Sequence, residues 1–127
     1  MAGRERVICA GADLVEAGTG ARFEVAGADG PLAAFAVRVL GGMVRAYVNR
    51  CPHMGTELDW QPGDFFEESG LYLVCATHGA LFEPATGLCV AGPCRGATLA
   101  RVAVREDNGQ VLLSNETPPA PGPDATR

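Results

Sequence analysis

Short runs of alternating or β-branched hydrophobic residues recur along the chain, separated by turn residues. They predict strands over Arg6 to Ala10, Ala21 to Ala26, Ala33 to Leu40, Met43 to Val48, Tyr72 to Cys75, Leu99 to Arg105 and Gln110 to Leu113. Because glycine adopts positive φ without steric cost, Gly41-Gly42 predicts a hairpin turn, and Asp107-Asn108-Gly109 predicts a second one. The segment Asp13 to Gly18 is compatible with a helical turn capped by Asp13 but is too short to assign.

The composition agrees with an all-β fold. With 127 residues, 47% of them hydrophobic, the chain suits one compact domain with its own core. The 17 glycines and 9 prolines leave little room for long helices. The composition changes only at the C-terminus, where Asn115 to Arg127 is rich in proline. We predict a single domain over residues 1–114 and a disordered tail over residues 115–127.

The chain has a net negative charge, and all of its positive charges come from arginine. The chain has 10 arginines, no lysine and 15 acids, and its net charge of −5 argues against a nucleic-acid or anionic-membrane surface. Six acids and no arginine lie between Cys51 and Cys94, namely Glu57, Asp59, Asp64, Glu67, Glu68 and Glu83. This concentration fits either a solvated face or a docking site for a basic partner.

Export and membrane signals are absent from the pattern. No hydrophobic run follows a basic start in the first twenty residues. The longest apolar stretch, Leu32 to Val48, is interrupted by Arg38 and Arg45 and is too short to span a bilayer. Five cysteines, an odd number, favour metal ligands or free thiols over a disulfide framework. We expect a soluble protein in a reducing compartment, the cytoplasm.

Both histidines of the chain closely follow a cysteine. The two arms are Cys51-Pro52-His53 and Cys75-Ala76-Thr77-His78, with 21 residues between them. Each arm offers a thiolate and an imidazole, and then a glycine, Gly55 or Gly79, where the backbone can approach a ligand closely. Two matching arms predict one shared metal centre. It is either a tetrahedral zinc site or a [2Fe–2S] cluster with both cysteines on one iron and both histidines on the other.

The order of the ligands favours the cluster. Zinc modules usually pair two nearby cysteines and two nearby histidines, whereas each arm here mixes the two ligand types. The arms Cys51-Pro52-His53-Met54-Gly55 and Cys75-Ala76-Thr77-His78-Gly79 are followed by Phe82, Pro84, Thr86-Gly87 and Gly92-Pro93. This series resembles the Rieske iron–sulfur family from about Arg50 to Pro93.

The resemblance implies a fold, a cofactor and its ligands. The expected fold is a Rieske-like two-sheet β framework with a small cluster-binding subdomain, about residues 50–94, made of two ligand loops. In it, Cys51 and Cys75 bind one iron and His53 and His78 bind the other, so that the cofactor is a [2Fe–2S] cluster. The spacing of the arms is long for the family, and the extra length falls in Trp60 to Gly70.

The resemblance also implies a low reduction potential. High-potential members share a disulfide between the two loops and serine and tyrosine hydroxyls that hydrogen-bond to cluster and ligand sulfurs. Those groups are missing here, and Ala80 and Phe82 stand where the hydroxyls would be. Fewer hydrogen bonds to sulfur destabilise the reduced state, so we predict a potential near the low end of the roughly −150 to +300 mV span of this ligand set.

The other cysteines and the tryptophan have less specific interpretations. Cys9 lies in an apolar run and is predicted to be a small buried hydrophobe. Cys89 and Cys94 flank the Gly92-Pro93 segment, and they form a disulfide, lie near the cluster, or are ordinary reduced thiols. We expect Trp60 to pack against the ligand loops.

The resemblance implies a single-electron carrier without catalytic residues, similar to the ferredoxin components of ring-hydroxylating oxygenases. Its expected partners are a flavin-dependent reductase and a terminal oxygenase or another redox protein. One alternative is a fixed Rieske subunit of a larger oxidoreductase, such as the small subunit of nitrite reductase. The other is a structural zinc module. An oxygenase catalytic subunit is not expected, because it would need a second iron site with two more histidines. The sequence leaves the oligomeric state open.

Overall fold

The protein is built almost entirely from short strands. The computed structural model describes residues 6–27, 30–52, 55–59, 61–77 and 79–114. The strands are β1 (Arg6–Ala10), β2 (Ala21–Gly27), β3 (Gly30–Arg38), β4 (Val44–Val48), β5 (Leu73–Val74), β6 (Leu81–Phe82), β7 (Cys89–Ala91), β8 (Arg101–Val102), β9 (Val104–Asp107) and β10 (Gln110–Leu113). The predicted tail, residues 115–127, lies outside the described residues.

The strands form three antiparallel sheets. The larger sheets have the orders β2-β3-β4-β8 and β1-β10-β9 and make up the framework, whereas β5-β6-β7 forms a small separate sheet. This small sheet begins just before the second motif arm and ends just before Gly92. The structure therefore confirms the all-β fold with a two-sheet framework and a small additional subdomain.

Both predicted hairpins are present. Gly41 and Gly42 join β3 to β4 with φ angles of 102° and 98°. Asn108 and Gly109 join β9 to β10, also with positive φ. The segment Asp13 to Gly18, which the sequence left open, contains no helical turn. A 3₁₀ turn covers Gly11–Asp13 instead, and Asp13 ends it rather than capping it.

Two details of the predicted strand pattern are wrong. The run from Leu99 to Arg105 is not one strand, because the chain leaves one sheet and enters the other at Ala103: β8 pairs with β4, and β9 pairs with β10. The pattern also missed β6 and β7. Strands of two or three residues are too short to show an alternation.

The core has two parts. One part fills the space between the two larger sheets, and the other extends from β3 and β4 beneath the motif arms. In the second part, Phe35 stacks on Phe65 with ring centroids 3.9 Å apart. The Tyr47 hydroxyl donates to the Pro84 carbonyl (2.7 Å), and burial raises the pKa of Tyr47 to about 12. These contacts fasten the small subdomain to the central sheet.

Arg38 joins the two larger sheets at the end of β3. Its guanidinium donates to the carbonyls of Leu14 (2.7 Å), Gly42 (2.7 Å) and Gly11 (2.8 Å). It also forms a bidentate ion pair with Glu106 on β9, in which Nη1 donates to Oε1 (2.9 Å) and Nη2 donates to Oε2 (2.7 Å). Five hydrogen bonds from one planar group fix the angle between the sheets, since a paired guanidinium and carboxylate tolerate little change in geometry.

The Arg38 pair makes stability depend on pH. The hydrogen bonds from Arg38 lower the pKa of the Glu106 carboxyl. When folding lowers the pKa of a carboxyl group, the carboxylate stabilises the folded state. This stabilisation is fully present above the pKa of the unfolded chain, about 4.3, and is lost as the pH falls through the pKa of the folded protein. We expect Glu106→Gln to lower the thermal midpoint at pH 7, and the deficit to shrink as pH falls from 5 toward 3. Glu24→Gln, at an exposed position on β2, is the control, and a deficit independent of pH would contradict the prediction.

Within the described residues, no helix has the length and hydrophobicity needed to cross a membrane.

Candidate metal centre

The two motif arms fold into loops with the same backbone hydrogen bonds. In loop 1, from Cys51 to Thr56, the Cys51 amide donates to the Thr56 carbonyl (2.7 Å) and the Gly55 amide donates to the Cys51 carbonyl (2.7 Å). In loop 2, from Cys75 to Ala80, the Cys75 amide donates to the Ala80 carbonyl (2.9 Å) and the Gly79 amide donates to the Cys75 carbonyl (2.7 Å). Each cysteine therefore opens a turn that closes four and five residues later.

Glycine is required at the fifth position of each loop. Gly55 and Gly79 have φ angles of 77° and 72°, which lie in the left-handed region that other residues adopt only with strain. Although the histidine follows the cysteine by two residues in one arm and by three in the other, the glycine follows by four in both. The turn geometry thus explains why the glycines recur in the sequence.

The loops are joined to each other. The Ala76 amide of loop 2 donates to the Leu58 carbonyl just after loop 1, at 2.9 Å. The Thr56 hydroxyl of loop 1 lies 4.0 Å from the Cys75 sulfur of loop 2. The sequence-based interpretation placed no hydroxyl near the motif sulfurs. The structure places the Thr56 hydroxyl near one of them, the Cys75 sulfur.

The thiols are buried, whereas the loop tips are exposed. Cys51 and Cys75 have no exposed surface. Pro52, Thr77 and Gly79 are exposed. The other two predicted ligands, His53 and His78, lie outside the described residues, as does Trp60.

A third segment, from Cys89 to Ala97, covers loop 2. A Cβ atom added to Gly92 would come within 2.8 Å of the Ala80 Cα, so only glycine fits at this contact. Cys89 and Cys94 are free and buried, and their sulfurs are 3.0 Å apart. Burial, followed by the contacts with Cys89 and Cys51, raises the pKa of the Cys94 thiol. Of the interpretations left open for this pair, the structure contains no disulfide between Cys89 and Cys94.

Buried polar side chains fix the end of loop 1. The Asn49 amide donates to Asp59 Oδ1 (2.9 Å), while its own oxygen accepts from the Leu58 amide (2.8 Å). The Gly63 amide donates to Asp59 Oδ2 (2.9 Å), and Arg22 lies 3.6 Å from the same oxygen. Asn49 and Asp59 are 3% and 7% exposed. This network connects β4, loop 1 and the segment between the loops.

The network changes the interpretation of the acidic stretch. Asp59 is buried and therefore does not belong to a docking surface. Glu57 is exposed but forms an ion pair with Arg22 at 2.8 Å. Asp64 and Glu68 are exposed to solvent. No sequence signal distinguishes Asp59 from its neighbours, because its side-chain partners Asn49 and Arg22 lie outside the acidic stretch.

The residues present fit an iron–sulfur cluster. The two loops are joined by a direct hydrogen bond, and their buried thiols lie in the same core cluster. Each loop also contains a histidine in its sequence. Two thiolates and two imidazoles are the donor set of a Rieske centre. Cys9, by contrast, lies on β1 and packs on the other core cluster, as predicted for a small hydrophobe, but it is half-buried where the sequence predicted full burial.

Comparisons with known proteins identify the family of the chain. The sequence profile of the Rieske [2Fe-2S] domain matches residues 5–111. No curated protein matches the chain. A chain in the complex of reduced oxygenase and oxidized ferredoxin in carbazole 1,9a-dioxygenase superposes with a TM-score of 0.66 at 24% identity. That alignment covers 88% of this chain and 94% of the other.

Oxygenase chains share the same fold over part of their length. The terminal oxygenase of carbazole 1,9a-dioxygenase from Novosphingobium sp. KA1 gives a TM-score of 0.71 at 22% identity, covering 96% of this chain and 32% of that one. The quaternary ammonium Rieske monooxygenase CntA gives 0.68 at 21% identity, covering 89% and 32%. The chain thus spans about a third of these oxygenase chains. With a profile match over most of its length, the chain belongs to the Rieske [2Fe-2S] domain family and is a Rieske-type electron-transfer protein with a [2Fe–2S] cluster.

Proposed function

We propose that the protein is a Rieske-type ferredoxin, a separate carrier of single electrons with no catalytic residue of its own. Its proposed ligands are Cys51 and Cys75 on one iron and His53 and His78 on the other. The observation that carries the proposal is the matched pair of loops, in which two buried thiols occupy equivalent positions. When bound, the cluster supplies one-electron redox chemistry.

The chain's own residues bury one side of this site and leave the other side exposed to solvent. Phe82, Leu58 and Ala80 are fully buried with the thiols and exclude water from them. The exposed tips of both loops and the exposed Gly92-Pro93 turn face solvent, where a redox partner can approach. Such an arrangement supports transfer through a transient contact at the tips.

The proposed partners are a flavin-dependent reductase as electron donor and a terminal oxygenase as acceptor. Support comes from the oxygenase–ferredoxin complex, one chain of which this protein covers to 94%. The exposed Asp64 and Glu68 lie in the segment between the two loops and supply negative charge for steering a basic partner. A domain over residues 1–114 and a cytoplasmic location are part of the same proposal.

The first test is an electron paramagnetic resonance spectrum of protein purified without air and reduced with dithionite. A rhombic signal, with an average g value below that of four-cysteine ferredoxins, is the expected result. A colourless and silent protein with stoichiometric zinc would contradict the proposal and identify a structural zinc module.

The second test separates a mobile carrier from a fixed subunit. The reduced protein is mixed with a terminal oxygenase in a stopped-flow instrument, and its reoxidation is followed at several salt concentrations. We expect transfer of one electron per cluster, slowed by salt, and no stable complex by size exclusion. Glu68→Gln should slow transfer, whereas Glu24→Gln should not. Isolation in a salt-resistant complex with a larger oxidoreductase would overturn the carrier assignment.

A further inference from the structure

Two cysteines outside the ligand motif face each other in the segment that covers loop 2. The Cys94 thiol donates to the Cys89 sulfur at 3.0 Å, and both cysteines are free in the structure. Because both lie within the one segment from Cys89 to Ala97, a bond between them is not a cross-link between the two ligand loops. The proposed ligand set gives neither thiol a role.

Backbone hydrogen bonds hold the two sulfurs close together. The Cys89 amide donates to the Ala97 carbonyl (2.8 Å), and the Gly96 amide donates to the Cys89 carbonyl (2.9 Å). The Ala97 amide donates to the Cys94 carbonyl (2.9 Å) and closes the turn that returns the chain to Cys89. Since the sulfur–sulfur bond of a disulfide is about 2.0 Å long, bond formation needs only about 1 Å of side-chain movement.

The surroundings of the two thiols set the order and the rate of their oxidation. Cys94 is 8% exposed and has exposed residues on both sides in the chain, whereas Cys89 is 1% exposed. The Cys89 thiol also donates to the Ala91 carbonyl at 3.2 Å. A small oxidant therefore reaches Cys94 first. Burial raises the pKa of the Cys94 thiol, so little thiolate is present at neutral pH and the reaction is slow.

We propose that Cys89 and Cys94 are a dithiol site that hydrogen peroxide oxidises to a disulfide. First, the Cys94 sulfur attacks one peroxide oxygen and the O–O bond breaks. The thiol proton leaves with the other oxygen as water, and Cys94 becomes a sulfenic acid. The Cys89 sulfur then attacks the Cys94 sulfur, the S–O bond breaks, and a second water leaves with the Cys89 proton. Two electrons pass from the thiols to peroxide, and the cluster takes no part.

The test treats the purified, cluster-bound protein with hydrogen peroxide for several hours and then removes the oxidant with catalase. Free thiols are alkylated under denaturing conditions, and peptide masses are measured. Chymotrypsin cleaves after Phe82, so that peptides beyond it contain Cys89 and Cys94 but no other cysteine. We expect these peptides to lose both alkylation sites and to regain them after reduction with dithiothreitol. Cys9→Ala is the control and should give the same result. A pair that stays fully alkylated would overturn the inference.

Two variants test the order of the steps. In Cys89→Ser no second thiol can resolve the sulfenic acid, so Cys94 should accumulate in a form that dimedone traps. In Cys94→Ser, the almost fully buried Cys89 should be trapped several-fold less. Equal trapping at both positions contradicts the assigned order. The wild-type peptide masses decide whether the disulfide forms even if a variant fails to fold.

The disulfide should also hold the covering segment on loop 2. It closes the turn around Gly92, which packs directly on Ala80, and a cross-link restricts the open forms of that turn. We expect peroxide-treated wild type to lose its visible absorbance on heating several-fold more slowly than untreated wild type. Treated and untreated Cys89→Ser should not differ in this way, which controls for direct damage to the cluster. Equal rates in the wild type would overturn this effect.

The outcomes separate this inference from the proposed function. A protein that forms the disulfide but gives no Rieske signal overturns the proposed function alone. A protein with an intact Rieske signal whose pair stays reduced overturns the inference alone. Loss of iron from folded, untreated Cys94→Ser would place Cys94 among the iron ligands and would also overturn the inference.

Discussion

A His78→Cys variant, purified without air and reduced with dithionite, will lack the rhombic signal of mixed histidine and cysteine ligation. The substitution replaces a neutral imidazole with a thiolate and adds negative charge beside the iron. The signal should therefore move toward that of four-cysteine ferredoxins, and the potential should fall. His78→Ala offers no replacement ligand, and we expect loss of most of the cluster. Iron and sulfide content, together with the spectrum, measure both effects.

Cys9→Ala is the matched control, since it removes a thiol that packs on the core cluster away from the ligand loops. It should show the wild-type spectrum and full iron content. An unchanged spectrum in both His78 variants would rule out His78 as a ligand. The matched pair of loops would then no longer support His53 either, and the cluster would have to take other donors.

The strands that the sequence predicts best are those whose predicted bounds lie next to a glycine, as the bounds of the following four do. The predicted bounds of β1 and β10 coincide with the observed ones, and β2 and β4 differ by one residue at one end. The failures have a physical cause. The change of sheet at Ala103 and the strands β6 and β7 are set by which partners lie nearby, and hydrophobic periodicity along the chain contains no information about partners.

The same distinction applies to the candidate site. The cysteines and histidines can be found from the sequence because each pair is close in the chain. The contacts that surround the sulfurs cannot be found from the sequence. Thr56 approaches Cys75 across 19 positions, and Cys94 lies 3.0 Å from Cys89 within a separate segment. The predicted low potential considered Ala80 and Phe82 only. It stays a prediction, and a hydrogen bond from the Thr56 hydroxyl to the Cys75 sulfur would raise the potential.

Asn49→Leu should strongly destabilise the protein, although Asn49 is neither a proposed ligand nor near the surface. The substitution removes the donor to Asp59 and the acceptor for the Leu58 amide, leaving a buried carboxylate and a buried amide short of partners. Losing partners of a buried charge costs about 3 kcal/mol or more. In a domain of this size that lowers the thermal midpoint by roughly 10 °C. Loss of visible absorbance on heating the cluster-bound protein measures the effect.

Gln61→Ala is the control, because it deletes an exposed amide side chain from the segment between the two loops. It should change the midpoint little, as surface substitutions generally do. Asp59→Asn should fall between the two variants, since the amide retains an acceptor for Gly63 but loses its charge beside Arg22. If Asp59→Asn instead left stability unchanged and slowed electron transfer, Asp59 would act in docking. The buried network would then not be what holds loop 1 in place.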